Sequence, residues 1–340
     1  MNNIKLVSID LAKSVFQICL FSNDHSILSN KKVTRKKLGN EIALLKPTTI
    51  VMEACYSAHH WGRVFESYGH TVQLVPAQHV KPFVRGNKND ANDAVAIGEA
   101  SLRPGMKFVR VKSIEQQDLQ SLHKIRERIV TNRTRISNQA RGLLSEYGLI
   151  ANPGFKAFKA LIIEVLEAEA LTPLFKEEIA SIYQEFMDLE ARLKRINKKL
   201  TALAEQHLFC RLLMSIPGVG LVNATALYAA VGDGKQFATA RDFAVWMGLT
   251  PQQYASGTKS YIGKITKRGN RYLRKQLVHG ARSVMNRAKH KDNKLSAWIM
   301  DIKERRGTHK ACVALAHKLA RIIWAVLTKQ ENYKHQTIAI

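Results

Sequence analysis

The sequence predicts an α/β domain, then a pair of long helices, then a mostly helical and strongly basic domain. Three patterns carry that expectation. Short runs rich in branched residues alternate with helical segments over the first hundred positions. Apolar residues recur at three- and four-residue steps through the middle. Lys and Arg crowd the last quarter, between further helical repeats.

Residues 4–10 (IKLVSID) and 15–21 (VFQICLF) read as strands, and 26–33 as a third. Residues 35–45 read as a helix. The run 48–52 (TTIVM) is a short apolar strand that ends at Glu53. A helix over 58–68 stops at Gly69, a strand over 71–75 closes at Pro76, and a helix covers 90–102. Three strands followed by alternating helix and strand is the ribonuclease-H-like order, in which an antiparallel meander continues into a parallel sheet.

A long helix is expected over 113–147, with Leu122, Ile125, Ile129, Ile136, Ala140, Leu143 and Tyr147 as its stripe. A second stripe runs from Phe175 through Ile179, Ile182, Phe186, Leu189, Leu193, Ile196 and Leu200 to Leu203, with coiled-coil spacing. Each helix would span about 50 Å. The two suit one long hairpin or pairing between subunits, and dimerisation is the expectation. From Leu208 onward come a Gly-rich basic segment and helices at 271–289, 295–305 and 310–329. The expected domains are 1–112, 113–206 and 207–340.

The net charge is +26, from 53 Lys and Arg against 27 Asp and Glu. A surplus of that size predicts a polyanionic partner. Residues 251–340 alone carry +16. The four cysteines (Cys19, Cys55, Cys210, Cys312) form no C-x-x-C pair, so neither a disulfide framework nor a zinc site is expected. No signal-like segment opens the chain, and the apolar stretch 311–327 is broken by His317, Lys318 and Arg321. A reducing cytoplasm and no membrane span are expected.

Inside this basic chain, four acids stand at element ends. Asp10 ends the first strand and Glu53 a later one, and those strands are neighbours in a ribonuclease-H-like sheet. Asp90 and Asp93 share one face at the start of a helix, where its dipole favours anions. Asp90 could instead cap that helix, with Asp93 as a plain first-turn acid. Two like charges about 4 Å apart cost roughly 4 kcal/mol at an effective dielectric near 20. A gathered set therefore calls for cations or protons. Magnesium is the natural occupant, with manganese as a substitute, and two such ions would clamp a phosphoryl transfer. The polar linker Asn87-Lys88-Asn89 suits approach to a phosphate.

Ser215-Ile216-Pro217-Gly218-Val219-Gly220 has the form of a helix-hairpin-helix, in which Gly218 and Gly220 would let the backbone grip a phosphate. Ser256 precedes Gly257 in a loop flanked by basic residues; by composition it is a turn serine. Lys259, Lys264, Lys267, Arg268, Arg271, Arg274 and Lys275 form a solvated or phosphate-facing surface.

Several segments together resemble the DEDD transposases of bacterial insertion sequences, RNA-guided and serine-using recombinases with a RuvC-like first domain. They are Ser8-Ile9-Asp10-Leu11-Ala12-Lys13, Met52-Glu53-Ala54-Cys55, Asn89-Asp90-Ala91-Asn92-Asp93-Ala94, Ile216-Pro217-Gly218-Val219-Gly220, Gly248-Leu249-Thr250-Pro251, and Ser256-Gly257 with Lys267-Arg268-Gly269-Asn270. They follow the family order over most of the chain. Lys81-Pro82-Phe83 and Glu115-Gln116-Gln117-Asp118 look like the branch that inserts at conserved target sites. The resemblance implies that Asp10, Glu53, Asp90 and Asp93 ligate the metal and that Ser256 becomes covalently joined to DNA. It implies a composite site, often built from two subunits of a homodimer that pairs into a tetramer at synapsis. It also implies an element-encoded guide RNA that pairs with donor and target DNA. Thr258 departs from the pattern, standing where a second glycine often follows Ser-Gly.

Two other classes compete with this reading. A RuvC-like nuclease or junction resolvase would hydrolyse with metal-bound water and would not need Ser256. A non-enzymatic nucleic-acid-binding protein would be indifferent to all five residues.

Overall fold

The computed structural model describes residues 4–87, 89–169, 171–288 and 293–334. The chain divides into two compact units, Met1–Ile114 and Glu115–Ile340.

The first unit is built on a five-stranded sheet of order β3-β2-β1-β4-β5. Its strands are β1 Ile4–Asp10, β2 Val15–Ser22, β3 Ile27–Thr34, β4 Thr49–Glu53 and β5 Thr71–Val75. The first three form an antiparallel meander, and β4 and β5 extend β1 in parallel. This is the order and direction expected from the strand pattern. Side chains alternate between two faces. Val7, Ile9, Ile50 and Met52 pack against Leu38 and Ile42 of α1 (Arg35–Ala43) and against Ala58, Trp61 and Phe65 of α2 (Ala58–Ser67). Leu6, Cys19, Phe21, Val51 and Val75 face the other way. They pack against Val80 at the end of the short helix α3 (Ala77–Val80), and against Ala94, Ala96, Ile97 and Ala100 of α4 (Asp90–Ser101). A Cβ on Gly98 would come within 2.4 Å of the Phe21 ring, so only glycine allows α4 to lie this close to the sheet.

The second unit begins with α5 (Ile114–Ser145) and α7 (Pro173–Gln206), which run antiparallel within one chain. Arg126 Nε donates to Asn197 Oδ1 at 2.9 Å and Arg133 Nη1 to Glu190 Oε1 at 3.0 Å, so rising numbers on α5 meet falling numbers on α7. Between the long helices in sequence lies α6 (Phe155–Glu167), which the stripe reading missed. Its Phe158, Leu161, Ile162 and Val165 fill the space between Ile136, Ala140 and Leu144 of α5 and Ile179 and Phe186 of α7. The stripe from Phe175 onward is thus occupied by helices of its own chain, which is the hairpin alternative. Thr172 starts α7 by accepting from the Phe175 amide, with Pro173 at the first helical position.

The remaining elements are α8 (Leu208–Met214), α9 (Leu221–Val231), α10 (Ala240–Trp246), β6 (Pro251–Ser256), β7 (Lys259–Ile265), α11 (Arg271–Arg287), α12 (Lys294–Arg306) and α13 (Thr308–Lys329). Their helices enclose one core with α13 at its centre. Among the described residues α13 is long and apolar enough to cross a membrane. Half of its apolar window is buried, with Leu315, Leu319, Ile323 and Leu327 packed in that core. The four cysteines are unpaired.

Candidate active site

Strand register settles where the first two acids stand. Ile9 pairs with Met52 across the parallel β1–β4 ladder, so Asp10 and Glu53 follow at matching positions where both strands end. By alternation Asp10 shares the face of Leu6 and Ser8, and Glu53 that of Val51. Both therefore face α4.

The helix brings the other two. Asn89, not Asp90, is its N-cap: the Asn89 side chain accepts from the Asn92 amide at 2.8 Å. This corrects the alternative in which Asp90 caps the helix. Asp90 and Asp93 occupy the first turn, Asp90 exposed and Asp93 half-buried. Asn92 Nδ2 donates to the Asn87 carbonyl at 2.8 Å and steadies the approach to the helix. Lys88, at the centre of the linker expected to meet phosphate, lies outside the described residues.

Two hydrogen-bond links fix the start of α4 over the sheet. Ser8 Oγ donates to the Ala94 carbonyl at 2.6 Å. Gln17, the cross-strand partner of Asp10, donates through Nε2 to Asn30 Oδ1 at 2.6 Å, and Asn30 Nδ2 donates to the Ala91 carbonyl at 3.1 Å. Sequence reasoning missed Ser8, Gln17 and Asn30. A signal was present, because Gln17 is the one strongly polar residue in the run VFQICLF. Gln17 is buried, and its Oε1 has no hydrogen-bond partner.

The electrostatics report the convergence. Burial, followed by the charges of Asp93, Asp90 and Glu53, pushes the Asp10 carboxyl up to about 6. A backbone hydrogen bond from Leu11 works against the rise. Cys55 is pushed up to about 11 by burial and by Glu53 and Asp10, which keeps its thiol protonated. Among the described residues no three His, Cys, Asp or Glu side chains are drawn into a ready metal cage. The donor set nonetheless fits a hard divalent cation: four carboxylates, all oxygen, with Asp10 raised by burial and by the repulsion of the other three, a repulsion that a cation would relieve.

Ser256 belongs to the second unit. The sequence places it in a loop; it is instead the last residue of β6 and pairs with Lys259, the first of β7. Gly257 and Thr258 form the two-residue turn, with a positive φ at Gly257 only, the pattern of a type II′ turn. The hairpin was hidden because positions 253 to 262 are exposed on both faces, which removes the alternation that marks a strand.

Its root is locked by glycine. Gly248 has φ +68, and a Cβ there would lie 1.8 Å from the Arg268 carbonyl oxygen. Gly269 has φ +86, and a Cβ there would lie 1.9 Å from the Trp246 carbonyl oxygen. Lys267 N donates to the Gly248 carbonyl at 3.2 Å and Thr266 N to that of Thr250 at 2.9 Å. Asn270 then caps α11, accepting from the Tyr272 and Leu273 amides. Of the basic residues, Lys259, Lys264, Lys267, Arg268 and Arg271 are exposed. Arg274 is half-buried and donates to the Met247 and Arg268 carbonyls, while Lys275 pairs with Glu127. Lys275 itself is exposed.

The segment Ser215–Gly220 links α8 to α9. Gly218 has φ +83 and lies so close to α11 that a Cβ would come within 2.7 Å of the Gly280 carbonyl oxygen. Asn223 Nδ2 donates to the Gly218 carbonyl at 3.1 Å. Gly220 is exposed with open space around it. The structure thus requires glycine at 218 and not at 220.

Comparisons with known proteins cover both units. Residues 7–149 match the DEDD transposase model of the IS110 type, described as "Transposase", and residues 210–296 match the model "Transposase IS116/IS110/IS902 family". The chain is 44% identical over 336 residues to the transposase for insertion sequence element IS1111A of Coxiella burnetii, covering 98% of this chain and 92% of the relative. It is 39% identical to a probable family 20 transposase of Pseudomonas aeruginosa, covering 98% and 99%. It is 36% identical to the transposase for element IS1328 of Yersinia enterocolitica, covering 97% and 98%. Full-length identity of this degree, joined to acids that converge beside one helix, means that the chain belongs to the IS116/IS110/IS902 family of transposases.

Proposed function

We propose that this transposase cuts and rejoins DNA through a serine-linked intermediate, with Asp10, Glu53, Asp90 and Asp93 as metal ligands and Ser256 as nucleophile. The observation that carries the first half is the joint effect of three acids and burial on Asp10. The second half is supported by family membership and by the exposed position of Ser256 opposite Lys259. In this reading the first unit is a ribonuclease-H-like, RuvC-like domain, and the segment around Gly218 and Gly220 is a helix-hairpin-helix.

Bound magnesium or manganese would neutralise charge on the phosphate and polarise it for attack. The chain supplies the rest. Ser256 Oγ attacks phosphorus; an Oγ–P bond forms and the bond from phosphorus to the leaving deoxyribose oxygen breaks. The serine proton passes to solvent or a base, and the departing oxygen takes up a proton. Attack by the hydroxyl of a second strand reverses these events and releases serine. Phosphodiester energy is conserved in the Oγ–P bond, so rejoining needs no external energy source. Lys259 neutralises phosphate charge beside the serine. An element-encoded guide RNA selects donor and target DNA, and a homodimer that pairs into a tetramer brings them together in the bacterial cytoplasm.

The test is a denaturing gel of protein incubated with labelled donor DNA and magnesium. A covalent protein–DNA band is expected in wild type and none in Ser256→Ala or Asp10→Asn. Cleavage that survives Ser256→Ala but not Asp10→Asn would transfer the protein to the water-using nuclease class.

A further inference from the structure

The β6–β7 hairpin presents more than a serine on its Ser256 face. Alternation and register place Gln252, Tyr254 and Ser256 on one side with Lys259, Tyr261 and Gly263. Tyr254 and Tyr261 are direct cross-strand partners, stacked with 4.7 Å between ring centroids and 12° between planes. Tyr254 is braced: its hydroxyl donates to Gln252 Oε1 at 2.5 Å, and its ring lies where a Cβ on Gly263 would approach to 2.9 Å. Tyr261 leans on that braced ring and keeps 63% of its surface exposed. The next pair toward the turn is Ser256 with Lys259. The opposite face holds Gln253, Ala255, Ser260 and Ile262, with no aromatic ring.

A cross-strand tyrosine pair helps to hold an isolated two-stranded hairpin together. Tyr254, packed over Gly263, suits that purpose. Tyr261 offers most of its ring to water, beside the serine and within a segment whose exposed Lys259, Lys264, Lys267 and Arg268 attract a polyanion. An exposed aromatic flanked by cations is how proteins hold unpaired nucleotides, because every base has a π face and every nucleotide a phosphate. A duplex keeps its bases stacked on each other, so such a platform favours a locally unpaired strand.

We propose that Tyr261, supported by Tyr254, stacks an unpaired base of single-stranded DNA next to the phosphate that Ser256 attacks, while Lys259 holds that phosphate. The inference rests on the reading of Ser256 as nucleophile and makes Tyr261 a positioning residue for its substrate.

The test uses full-length Ser256→Ala protein, so that binding is measured without chemistry. The probe is a short single-stranded DNA carrying 2-aminopurine, whose fluorescence falls when it stacks on an aromatic ring. Quenching on binding is expected. Tyr261→Val keeps a good strand former and should abolish quenching and weaken binding by about tenfold, the scale of one base–aromatic stack. Tyr261→Phe should retain both, and Lys259→Gln should lose affinity while keeping the quench. Hydrogen exchange across the hairpin amides checks that Tyr261→Val stays folded; if the hairpin melts, Tyr261→Leu takes its place. Unchanged quenching without the Tyr261 ring overturns the proposal. So does a parent protein that never quenches, or one that quenches the matching RNA in place of DNA. The covalent-adduct assay is read separately: an adduct that survives Ser256→Ala defeats the nucleophile reading, whatever Tyr261 does to 2-aminopurine.

Discussion

Ser8 donates its hydroxyl to the backbone carbonyl of Ala94, 86 residues further along the chain, at 2.6 Å. Ser8 stands two residues before Asp10 on the same strand face, and Ala94 immediately follows Asp93. This buried hydrogen bond, with the Gln17–Asn30–Ala91 link, therefore helps to set how near the acids of α4 come to the acid of β1. Ser8→Ala leaves that carbonyl without its side-chain donor, and about 1–2 kcal/mol of stability should be lost. Magnesium affinity should fall as well, because the helix start is released. Urea unfolding and calorimetric titration of magnesium measure the two effects. Lost stability with unaltered magnesium binding would show that the bond does not position the acids.

Asp10 should make the metal-free protein less stable as pH rises. Its carboxyl titrates near 6 in the folded chain, against an ordinary value of 3.8. The folded state thus holds the proton more tightly than the unfolded state, and that advantage is complete below about pH 4. It is lost as pH climbs through 6. Taken at face value the difference is about 3 kcal/mol, and the partial exposure of the carboxyl reduces it to about 1 kcal/mol. Asp10→Asn should therefore raise the melting temperature of metal-free protein at pH 7.5 and flatten this part of the profile. Magnesium should stabilise wild type and have little effect on the variant. A lower melting temperature for Asp10→Asn without metal would contradict the repulsion assigned to this site.

The hairpin root makes a steric prediction. Gly248→Ala places a methyl group 1.8 Å from the Arg268 carbonyl oxygen at a φ of +68. Both the conformation and the space are refused, so a loss of at least about 2 kcal/mol is expected. Gly220→Ala has open space at a φ of −87 and loses only a favourable N-cap residue of α9, so it should cost no more than about 1 kcal/mol. Thermal melts of the two variants side by side test the contrast. Equal effects would mean that the turn at Gly248 relaxes.

The sheet was legible because its strands are apolar where they are buried. Ile4 to Asp10 and Thr49 to Glu53 reveal both their faces and their ends, and the order of strands and helices then makes the two strands neighbours, which puts Asp10 and Glu53 on one edge. The cap stays open in the sequence, with Asp90 as an alternative to a ligand role, because Asn89 and Asp90 are both good capping residues; the structure gives the cap to Asn89. The β6–β7 hairpin was not legible, since neither face is buried and no apolar alternation was written into it. Helix α6 was overlooked for a different reason. Its apolar residues are plain to see, but Phe158 and Phe186 meet only through tertiary packing, with ring centroids 5.0 Å apart. Phe186→Ala should cost about 3–5 kcal/mol if that junction carries the helical unit.

The second unit should respond to acid in the opposite sense from Asp10. His123 is buried in α5, with Nδ1 against the Tyr272 hydroxyl at 3.0 Å and Nε2 against Thr225 Oγ1 at 2.9 Å. Burial, followed by the charge of Arg126, pushes it down to about 4 from an ordinary value of 6.5. Here the unfolded state binds the proton more tightly, so stability is full above pH 6.5 and drains away as pH falls toward 4. The loss amounts to about 3 kcal/mol once both states are protonated. His123→Gln keeps polar atoms in the same place and cannot be charged. It should sacrifice some stability at neutral pH and remove this slope between pH 6.5 and 4. Asp10→Asn should leave that slope intact, because its own effect lies in the first unit and carries the other sign. Hydrogen exchange at pH 5 and pH 7.5 resolves the two contributions. Amides of α5 and α9 should open more readily at pH 5, while those of β1 and α4 should open more readily at pH 7.5. Uniform behaviour across both sets would refute the assignment of opposite slopes to Asp10 and His123.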